Sequence, residues 1–324
     1  MYTLVEAQAL IEKHIENLRL PEQPEALYEP VRYILSNGGK RIRPALVLLS
    51  CNLFSDGVEQ AVMPALAIEI FHNFTLMHDD IMDRSEIRRG KETVHVKWNN
   101  NTAILSGDVM SIYASRLINK APGAVLEQVH EVFTRTAIAV CEGQQYDMDF
   151  ESRIEVGEAE YLKMIELKTA VLIAASLRIG AMVGGASQLD ADDLYRFGLN
   201  LGLAFQLQDD LLDTFGDEKL FGKKTGMDIV NNKKTFLMIK ALERAGEKQR
   251  EELLYWQNTD PADPEKKIEA VKSIFSTLNI EQITRDKVTF YYNEAMANLS
   301  HLGVSQDKKG ELYYFAEFLL SRNQ

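Results

Sequence analysis

Apolar side chains recur at steps of three and four along most of the chain, which is the spacing of helices that bury one face. Strand-type alternation is almost absent. The predicted helices span residues 3–18, 25–35, 44–54, 60–82, 102–119, 124–150, 157–183 and 190–215, with further helices after 231 that end with 308–320. No break between them is long or polar enough for an interdomain linker, and no solenoid repeat is present. The pattern predicts an all-α protein in which residues 1–324 form a single domain, a bundle of many long helices.

The apolar stripe of the helix predicted at 60–82 ends in three aspartates. Asp79 and Asp83 are four residues apart and share one helix face, whereas Asp80 lies about 100° round the helix. Three carboxylates at a helix C-terminus repel one another and the negative end of the helix dipole. A hard cation relieves this repulsion, and ligands that are all oxygen favour Mg²⁺ over Zn²⁺.

A second stretch repeats this arrangement. Residues 205–213 read FQLQDDLLD and place Asp209, Asp210 and Asp213 at the same spacing, after a helix that is apolar nearly all round. A single DDxxD motif is more often a solvated helix face than a metal site. Two copies, each after an apolar helix, favour metal binding, and neither copy has the alternating spacing of a calcium loop.

Composition and charge restrict the class of partner. The chain has 324 residues and a formal net charge of −12, which argues against nucleic acid and anionic membranes. An anionic substrate would therefore have to be held by metal ions and by local Lys or Arg side chains. No apolar stretch reaches the length of a membrane span, and the N-terminus lacks a basic region followed by an apolar run. Its two cysteines, Cys51 and Cys141, are interpreted as reduced thiols of a cytoplasmic protein.

Two basic segments are candidate anion sites. Residues 37–44 read NGGKRIRP, and they bring Lys40, Arg41 and Arg43 to a predicted helix N-terminus. An ordinary basic turn is the alternative interpretation. Arg88 and Arg89 follow the first aspartates directly, and because they are adjacent they point apart and could serve two different anions.

Three other positions are candidates by their surroundings. His72 lies two turns before Asp79 on the same helix, with packing and ligand binding equally open, whereas packing is favoured for His78. Lys168-Thr169 interrupts an apolar helix, and a lysine there needs an anion or a carboxylate partner. Gln206 lies one turn before Asp209. The Gly- and Lys-rich residues 216–233 resemble a lid over an anion and do not match a Walker loop.

In combination, GGKRIRP, DDIMD followed by RRG, LKTA, FQLQDDLLD and GKKTGMD resemble the trans-isoprenyl diphosphate synthases, the polyprenyl synthetase family. The resemblance runs from 37 to 235 with helices on either side. It implies an all-α bundle around a deep cavity, commonly a homodimer, in which isopentenyl diphosphate is added head-to-tail to an allylic diphosphate. It also implies that Mg²⁺ helps the allylic diphosphate to leave as pyrophosphate.

The resemblance further implies a role for each matching residue. Asp79, Asp80, Asp83, Asp209, Asp210 and Asp213 would hold Mg²⁺, and with Lys168 they would form the catalytic set. Isopentenyl diphosphate would be bound by Lys40, Arg43, His72 and Arg89. An allylic diphosphate (dimethylallyl, geranyl or farnesyl) would be bound by Arg88, Lys168, Thr169, Gln206, Lys223 and Lys233. Three departures affect lid closure: Glu92 replaces a common Pro, Asn232 replaces a common Gly, and the C-terminal SRNQ lacks a basic tail.

Phe74 is the candidate floor for the growing prenyl tail. It lies five residues before Asp79, a rise of about 7.5 Å along the helix. Thr75 is small and leaves room, while Ile70 and Phe71 lie a turn deeper. The family pattern then implies a short product, with geranylgeranyl diphosphate first and farnesyl diphosphate second. The alternative is that Phe74 is ordinary core packing.

Other functions fit the residues less well. A longer-chain synthase would commonly have a small residue at Phe74. A class I terpene cyclase has a different second metal motif and lacks GGKRIRP. A non-catalytic subunit would tend to lose aspartates, and both clusters are intact.

Overall fold

The computed structural model describes residues 1–216, 225–259 and 263–320. The helices in this part of the chain are α1 (Leu4–Glu16), α2 (Glu25–Ser36), α3 (Ile42–Phe54), α4 (Glu59–Met82), α5 (Val94–Lys97), α6 (Asn100–Ile118), α7 (Leu126–Ser152), α8 (Glu158–Ile165), α9 (Val171–Val183), α10 (Gln188–Phe215), α11 (Met227–Val230), α12 (Phe236–Arg244), α13 (Glu247–Gln257), α14 (Pro264–Thr277), α15 (Ile280–His301) and α16 (Gln306–Leu320). A π-helical turn, Glu166–Ala170, joins α8 to α9. The all-α prediction is confirmed.

Four short elements were not predicted: the helices α5 and α11, the π-helical turn and a small hairpin. The helix predicted over 157–183 is interrupted by the π-helical turn, because apolar periodicity continues through it and does not register the extra residue per turn. A small antiparallel hairpin, β1 (Ile87–Arg88) and β2 (Lys91–Glu92), was not predicted. Its two-residue loop has positive φ at Arg89 (54°) and Gly90 (75°), as a type I′ turn requires. Strands of two residues are too short to show alternation.

The chain divides into two compact units. The first comprises residues 1–136, 172–195 and 301–312, and the second comprises 137–171, 196–300 and 313–324. In the first unit α4 packs against α3 and α6, and α3 is buried over ten of its thirteen residues. Buried side chains of the second unit gather around Ile165, Leu203 and Phe236, with a further cluster around Phe275. A single domain over 1–324 stays a prediction.

Within the described ranges, every helix is too short or too polar to cross a bilayer.

Candidate active site

The first aspartate cluster, Asp79, Asp80 and Asp83, lies at the C-terminal end of α4. The backbone N–H of Ser85 donates to the carbonyl of Asp80, and that of Arg84 donates to the carbonyl of Ile81. With Arg84 in the left-handed region at φ 52°, these bonds form a Schellman motif. The helix therefore ends directly after Asp83, which is where the sequence placed the carboxylates.

The three carboxylates of this cluster are not equivalent. Asp80 is buried, and its Oδ1 accepts a hydrogen bond from Arg88 Nε at 2.7 Å. Asp79 is partly exposed, with its Oδ2 3.8 Å from Arg88 Nη2, and Asp83 is exposed. Burial raises the pKa of the Asp80 carboxyl, and Arg88 opposes that rise. Asp79 and Asp83, four residues apart, are thus the more accessible pair. Asp80 is buried and paired with Arg88.

Arg41 has a different role from the basic residues around it. Its guanidinium is buried and ion-paired with Glu69 at 2.7 Å and with Glu12 at 2.7 Å, and it also donates to the carbonyl of Leu35. Two carboxylates already neutralise this group. Arg41 therefore ties the start of α3 to α1 and α4, and the sequence alone does not separate it from Lys40 and Arg43.

Arg43 and His72 meet beside this ion pair. Arg43 Nη1 lies 3.2 Å from His72 Nε2, and since a guanidinium can only donate, Nε2 accepts and the imidazole is neutral. Arg43 Nε is buried and has no hydrogen-bond partner among the described residues. Burial and the charge of Arg89 lower the pKa of Arg43 to about 10. The excess positive charge and the open donor both fit an anion.

The neutrality of His72 predicts a specific pH dependence. Burial, and then the surrounding arginines, hold its pKa well below the ordinary 6.5. Below pH 6.5 the unfolded chain therefore binds a proton that the folded chain does not, so stability is fully present above pH 6.5 and is lost as the pH falls. One proton corresponds to about 1.4 kcal/mol per pH unit.

His72→Gln should remove this contribution. Urea unfolding of both proteins from pH 7.5 to 5.0 should give a shallower loss of the free energy of unfolding in the variant, because glutamine can still accept from Arg43 but does not titrate. Any constant offset between the two proteins is irrelevant to the comparison of slopes. Parallel pH profiles would show that His72 is protonated alike in both states.

Arg88 is the last residue of β1, and Arg89 is the first residue of the two-residue loop that follows it. Arg89 Nη1 donates to the carbonyl of Gly38 in the loop before α3, and its guanidinium is near enough to Arg43 to lower the pKa of that group. Arg88 is directed to the aspartates instead. The two adjacent arginines therefore point apart, as predicted. Arg89 lies near Gly38 and Arg43, whereas Arg88 pairs with the aspartates of the first cluster.

The second aspartate cluster, Asp209, Asp210 and Asp213 on α10, has the same division. Asp210 is buried; one carboxylate oxygen accepts from the Tyr161 hydroxyl, and the other accepts from Gln206 Nε2 at 3.1 Å. Asp209 is exposed and Asp213 is partly exposed. Burial raises the pKa of Asp210 well above its ordinary value. In both clusters the first and last carboxylates are at least partly exposed, and the middle carboxylate is buried and hydrogen-bonded.

A fourth carboxylate, Asp228, joins the second cluster. Its backbone N–H donates to Asp213 Oδ2 at 2.9 Å. Burial, together with the negative charges of Asp213 and Asp209, raises the pKa of Asp228 to about 7. In the sequence Asp228 stands within GKKTGMD, and no role was predicted for it. The only signal in the sequence was Gly226, because a glycine often precedes a helix and Asp228 follows it by two residues.

Lys168 and Thr169 lie on the π-helical turn, which two helices approach closely. A Cβ at Gly143 of α7 would lie 2.3 Å from the Lys168 backbone nitrogen, and a Cβ at Gly202 of α10 would lie 2.6 Å from Ala170. Only glycine permits these approaches. One helical turn beyond each glycine comes a polar partner: Asp147 on α7, and Gln206 on α10, whose Oε1 accepts from the Thr169 hydroxyl at 3.3 Å.

Asp147 is the carboxylate partner that the sequence required for Lys168 but did not identify. Its Oδ2 lies 2.6 Å from Lys168 Nζ and 3.6 Å from Lys233 Nζ. Although burial alone would raise the pKa of Asp147, these two ammonium groups hold it below its ordinary value. Asp147 therefore brings together two of the lysines predicted to bind the allylic diphosphate.

The donor set fits Mg²⁺. Each cluster presents two accessible carboxylates, and the second adds Asp228, so every candidate ligand is oxygen. Over residues 1–216, 225–259 and 263–320 no three His, Cys, Asp or Glu side chains form a complete metal cage. Mg²⁺ is commonly held by one or two carboxylates with water and substrate phosphates as the other ligands, and it does not need such a cage.

The remaining predicted residues lie as follows. Lys40 is exposed in the loop before α3, and Lys223 and the SRNQ terminus lie outside the described residues. Phe74 lies on α4 between Phe71 and His78, with ring centroids 5.5 Å and 4.8 Å away. His78 Nε2 also lies 3.1 Å from the carbonyl of Ile104, which supports its interpretation as a packing residue.

Two further positions of the predicted tail region are also on α4. Ile70 is buried, and the Thr75 hydroxyl donates to the carbonyl of His72 at 2.8 Å. The rings of Phe71, Phe74 and His78 form a continuous aromatic row along α4, and Thr75 is next to Phe74 in the chain.

Comparison with known proteins gives matches that cover most of the chain. The family model described as polyprenyl synthetase matches residues 24–274. A geranylgeranyl diphosphate synthase of Sulfolobus acidocaldarius is 40% identical over 304 residues, which cover 92% of this chain and 91% of the relative. One from Methanosarcina mazei is 43% identical over 237 residues, 72% of this chain and 73% of the relative. The crystal structure of a geranylgeranyl pyrophosphate synthase superposes with a TM-score of 0.95 at 42% identity and covers 100% of both chains.

Proposed function

The chain belongs to the polyprenyl synthetase family, and from this premise we propose that it condenses isopentenyl diphosphate head-to-tail with an allylic diphosphate to make geranylgeranyl diphosphate. It is a short-chain trans-prenyltransferase, and the relatives at 40% and 43% identity are named geranylgeranyl diphosphate synthases. The observation that carries the proposal is the matched arrangement of the two clusters. Each exposes its outer carboxylates and buries its middle one against a specific partner.

The first unit supplies the isopentenyl diphosphate residues: Lys40, Arg43, His72 and Arg89. Support comes from the open, buried Arg43 Nε and from the mutual repulsion of Arg43 and Arg89, which an anion relieves. His72 is neutral, so it orients Arg43 by accepting its hydrogen bond and adds no charge. Arg41, already neutralised by Glu12 and Glu69, supports the loop and does not bind substrate.

The aspartates of each cluster would hold Mg²⁺ for the allylic diphosphate. All six aspartates would contribute to the metal sites; the carboxylates of Asp79, Asp83, Asp209 and Asp213 are the more accessible ones, whereas Asp80 and Asp210 are buried against Arg88 and Tyr161. When bound, Mg²⁺ neutralises the negative charge that develops on the leaving pyrophosphate. The residues we propose for binding the allylic diphosphate are Arg88, Lys168, Thr169, Gln206, Lys223 and Lys233.

The chemistry replaces the C–O bond of the allylic diphosphate with a new C–C bond and then transfers one proton. The bond between the allylic carbon and the diphosphate oxygen breaks, pyrophosphate departs with the electron pair, and the π bond of isopentenyl diphosphate attacks the allylic cation. A proton is then lost to the departed pyrophosphate, which restores a double bond. Arg88 and Lys168 stabilise the departing anion in this step, because guanidinium and ammonium groups strengthen their hydrogen bonds as charge develops.

Turnover with defined substrates tests the proposal. Labelled isopentenyl diphosphate should be consumed with dimethylallyl, geranyl or farnesyl diphosphate in the presence of Mg²⁺, and chromatography of the dephosphorylated product should give the twenty-carbon alcohol. Absence of condensation with all three primers would refute the activity. A product of another length would refute only the assignment of chain length.

The two adjacent arginines should affect different substrates. Arg89→Ala should chiefly raise the apparent KM for isopentenyl diphosphate, and Arg88→Ala should chiefly raise that for the allylic diphosphate. Each lost charge-assisted hydrogen bond is worth about 1.5–3 kcal/mol. Lys40→Ala should follow Arg89→Ala. Initial rates measured while each substrate is varied decide the matter, and identical effects of both variants on both constants would contradict the division.

The assembly we propose is a homodimer in the cytoplasm. The outer face of α6 exposes Ile104, Leu105 and Ile112, with 44%, 59% and 67% of their surfaces accessible. Three large aliphatic residues on one helix are typical of a surface that another chain covers. Both cysteines are free thiols, which agrees with a reducing compartment.

A further inference from the structure

The short helix α11 (Met227–Val230) carries Asp228 in its only turn and is followed by Asn231, Asn232 and Lys233. The backbone N–H of Asn232 donates to the carbonyl of Ile229, and that of Lys233 donates to the carbonyl of Asp228. Asn232 has φ 57°, so α11 ends in a Schellman motif whose left-handed position is taken by asparagine and not by the usual glycine. One backbone hydrogen bond thereby links Lys233 to the carboxylate residue of the second cluster.

A buried lysine holds this helix end. Lys267, in the first turns of α14, is only 1% exposed. Its Nζ donates to the side-chain oxygen of Asn232 at 2.6 Å, to the carbonyl of Val230 at 3.3 Å and to the carbonyl of Thr259 at 3.4 Å. Val230 is the last residue of α11, and its carbonyl has no partner within the helix. Lys267 therefore supplies hydrogen bonds to the free carbonyl at the end of α11 and to the side chain of Asn232, which occupies the left-handed position.

The neighbouring residue of α14 contacts the other end of α11. Ile268 packs closely against Gly226, the residue before α11. A Cβ added to Gly226 would lie 2.8 Å from Cδ1 of Ile268. Adjacent residues of α14 thus contact both ends of one helical turn. A lysine has many rotamers, and nearly complete burial of its ammonium group is costly unless several acceptors converge on it.

We infer that Lys267 and Asn232 form a clip that positions Lys233 for the allylic diphosphate. The inference rests on the proposed function. The clip fixes the left-handed turn at Asn232, the turn sets the direction in which the Lys233 side chain leaves the backbone, and Lys233 then reaches Asp147 and Glu151, at 3.6 Å each. Lys267 touches no substrate. Asparagine at 232 serves both requirements, because it tolerates a left-handed backbone and supplies an acceptor that glycine lacks.

A double-mutant cycle tests the clip. Lys267→Met, which keeps the length of the side chain and removes the donor, should raise the KM for the allylic diphosphate roughly five- to tenfold, the effect of losing about one hydrogen bond. The KM for isopentenyl diphosphate should change less than about twofold. In a Lys233→Ala background the same substitution should add less than about twofold, because it acts through Lys233. Lys266→Met, at the adjacent exposed position, is the matched control and should change neither constant.

Asn232→Gly provides a second route if Lys267→Met does not fold. It keeps the left-handed turn and removes the acceptor, and its effect should have the same sign, be smaller, and likewise vanish with Lys233→Ala. Calorimetric titration with inorganic pyrophosphate and Mg²⁺ gives the comparison without turnover, so failure of the clip and failure of the proposed activity are distinguishable. Two results would overturn the inference. One is that Lys267→Met changes the KM of both substrates equally. The other is that its effects on KM and on pyrophosphate binding are as large in the Lys233→Ala background as in the wild type.

Discussion

Asp79→Ala and Asp209→Ala are each expected to lower turnover about 10²–10³-fold, the usual effect of removing one group that stabilises developing charge. Both side chains are at least partly exposed, and each belongs to a cluster whose carboxylates repel one another. Removing one should therefore leave the free energy of unfolding unchanged or slightly higher. Circular dichroism and urea unfolding check the fold, and steady-state rates at saturating substrates check the activity.

Metal dependence and a control variant make this test specific. Chelator should abolish wild-type turnover, and Mg²⁺ should restore it. The matched control is Asp56→Ala, an exposed aspartate between α3 and α4, which should keep wild-type activity. Wild-type activity in chelator, or in either cluster variant, would show that the clusters do not act through metal.

Phe74→Ala should give a product longer than geranylgeranyl diphosphate. In the proposed function the diphosphate is held near Asp79, and the growing tail would extend along α4 toward Phe74, about 7.5 Å away along the helix axis. Removing the ring opens the space next to Phe71, whose buried ring lies 5.5 Å from that of Phe74 and becomes the next barrier. Product chromatography measures the change directly, with farnesyl diphosphate as primer.

The opposite change and an aromatic control complete this test. Thr75→Phe should shorten the product, because it adds a ring one residue nearer the first cluster. Phe290→Ala removes an exposed aromatic ring of α15 and should leave the product unchanged. A folded, active Phe74→Ala enzyme that still makes only the twenty-carbon product would show that another residue forms the floor.

The sequence by itself determined the helices and the positions of the two clusters. Both are local properties: helical periodicity is visible over ten to twenty residues, and the spacing of Asp79 to Asp83 fixes which carboxylates share a face. The left-handed end of α4 after Asp83 agrees with the predicted boundary. Where the prediction was wrong, at the π-helical turn and the β1–β2 hairpin, the structure involves only a few residues and leaves no periodic signal.

The tertiary structure decided which of these residues are exposed and what holds them. Asp80 and Asp79 look equivalent in sequence, yet Arg88 buries one and leaves the other accessible. Asp210 is paired with Tyr161 from 49 positions away, and Lys267 holds Asn232 from 35 positions away. Such pairings depend on how closely separate helices pack, and spacing within one helix carries no information about that distance. The sequence therefore identified the residues that carry the charges, while only the packing of helices against one another determined which charges remain available to a substrate.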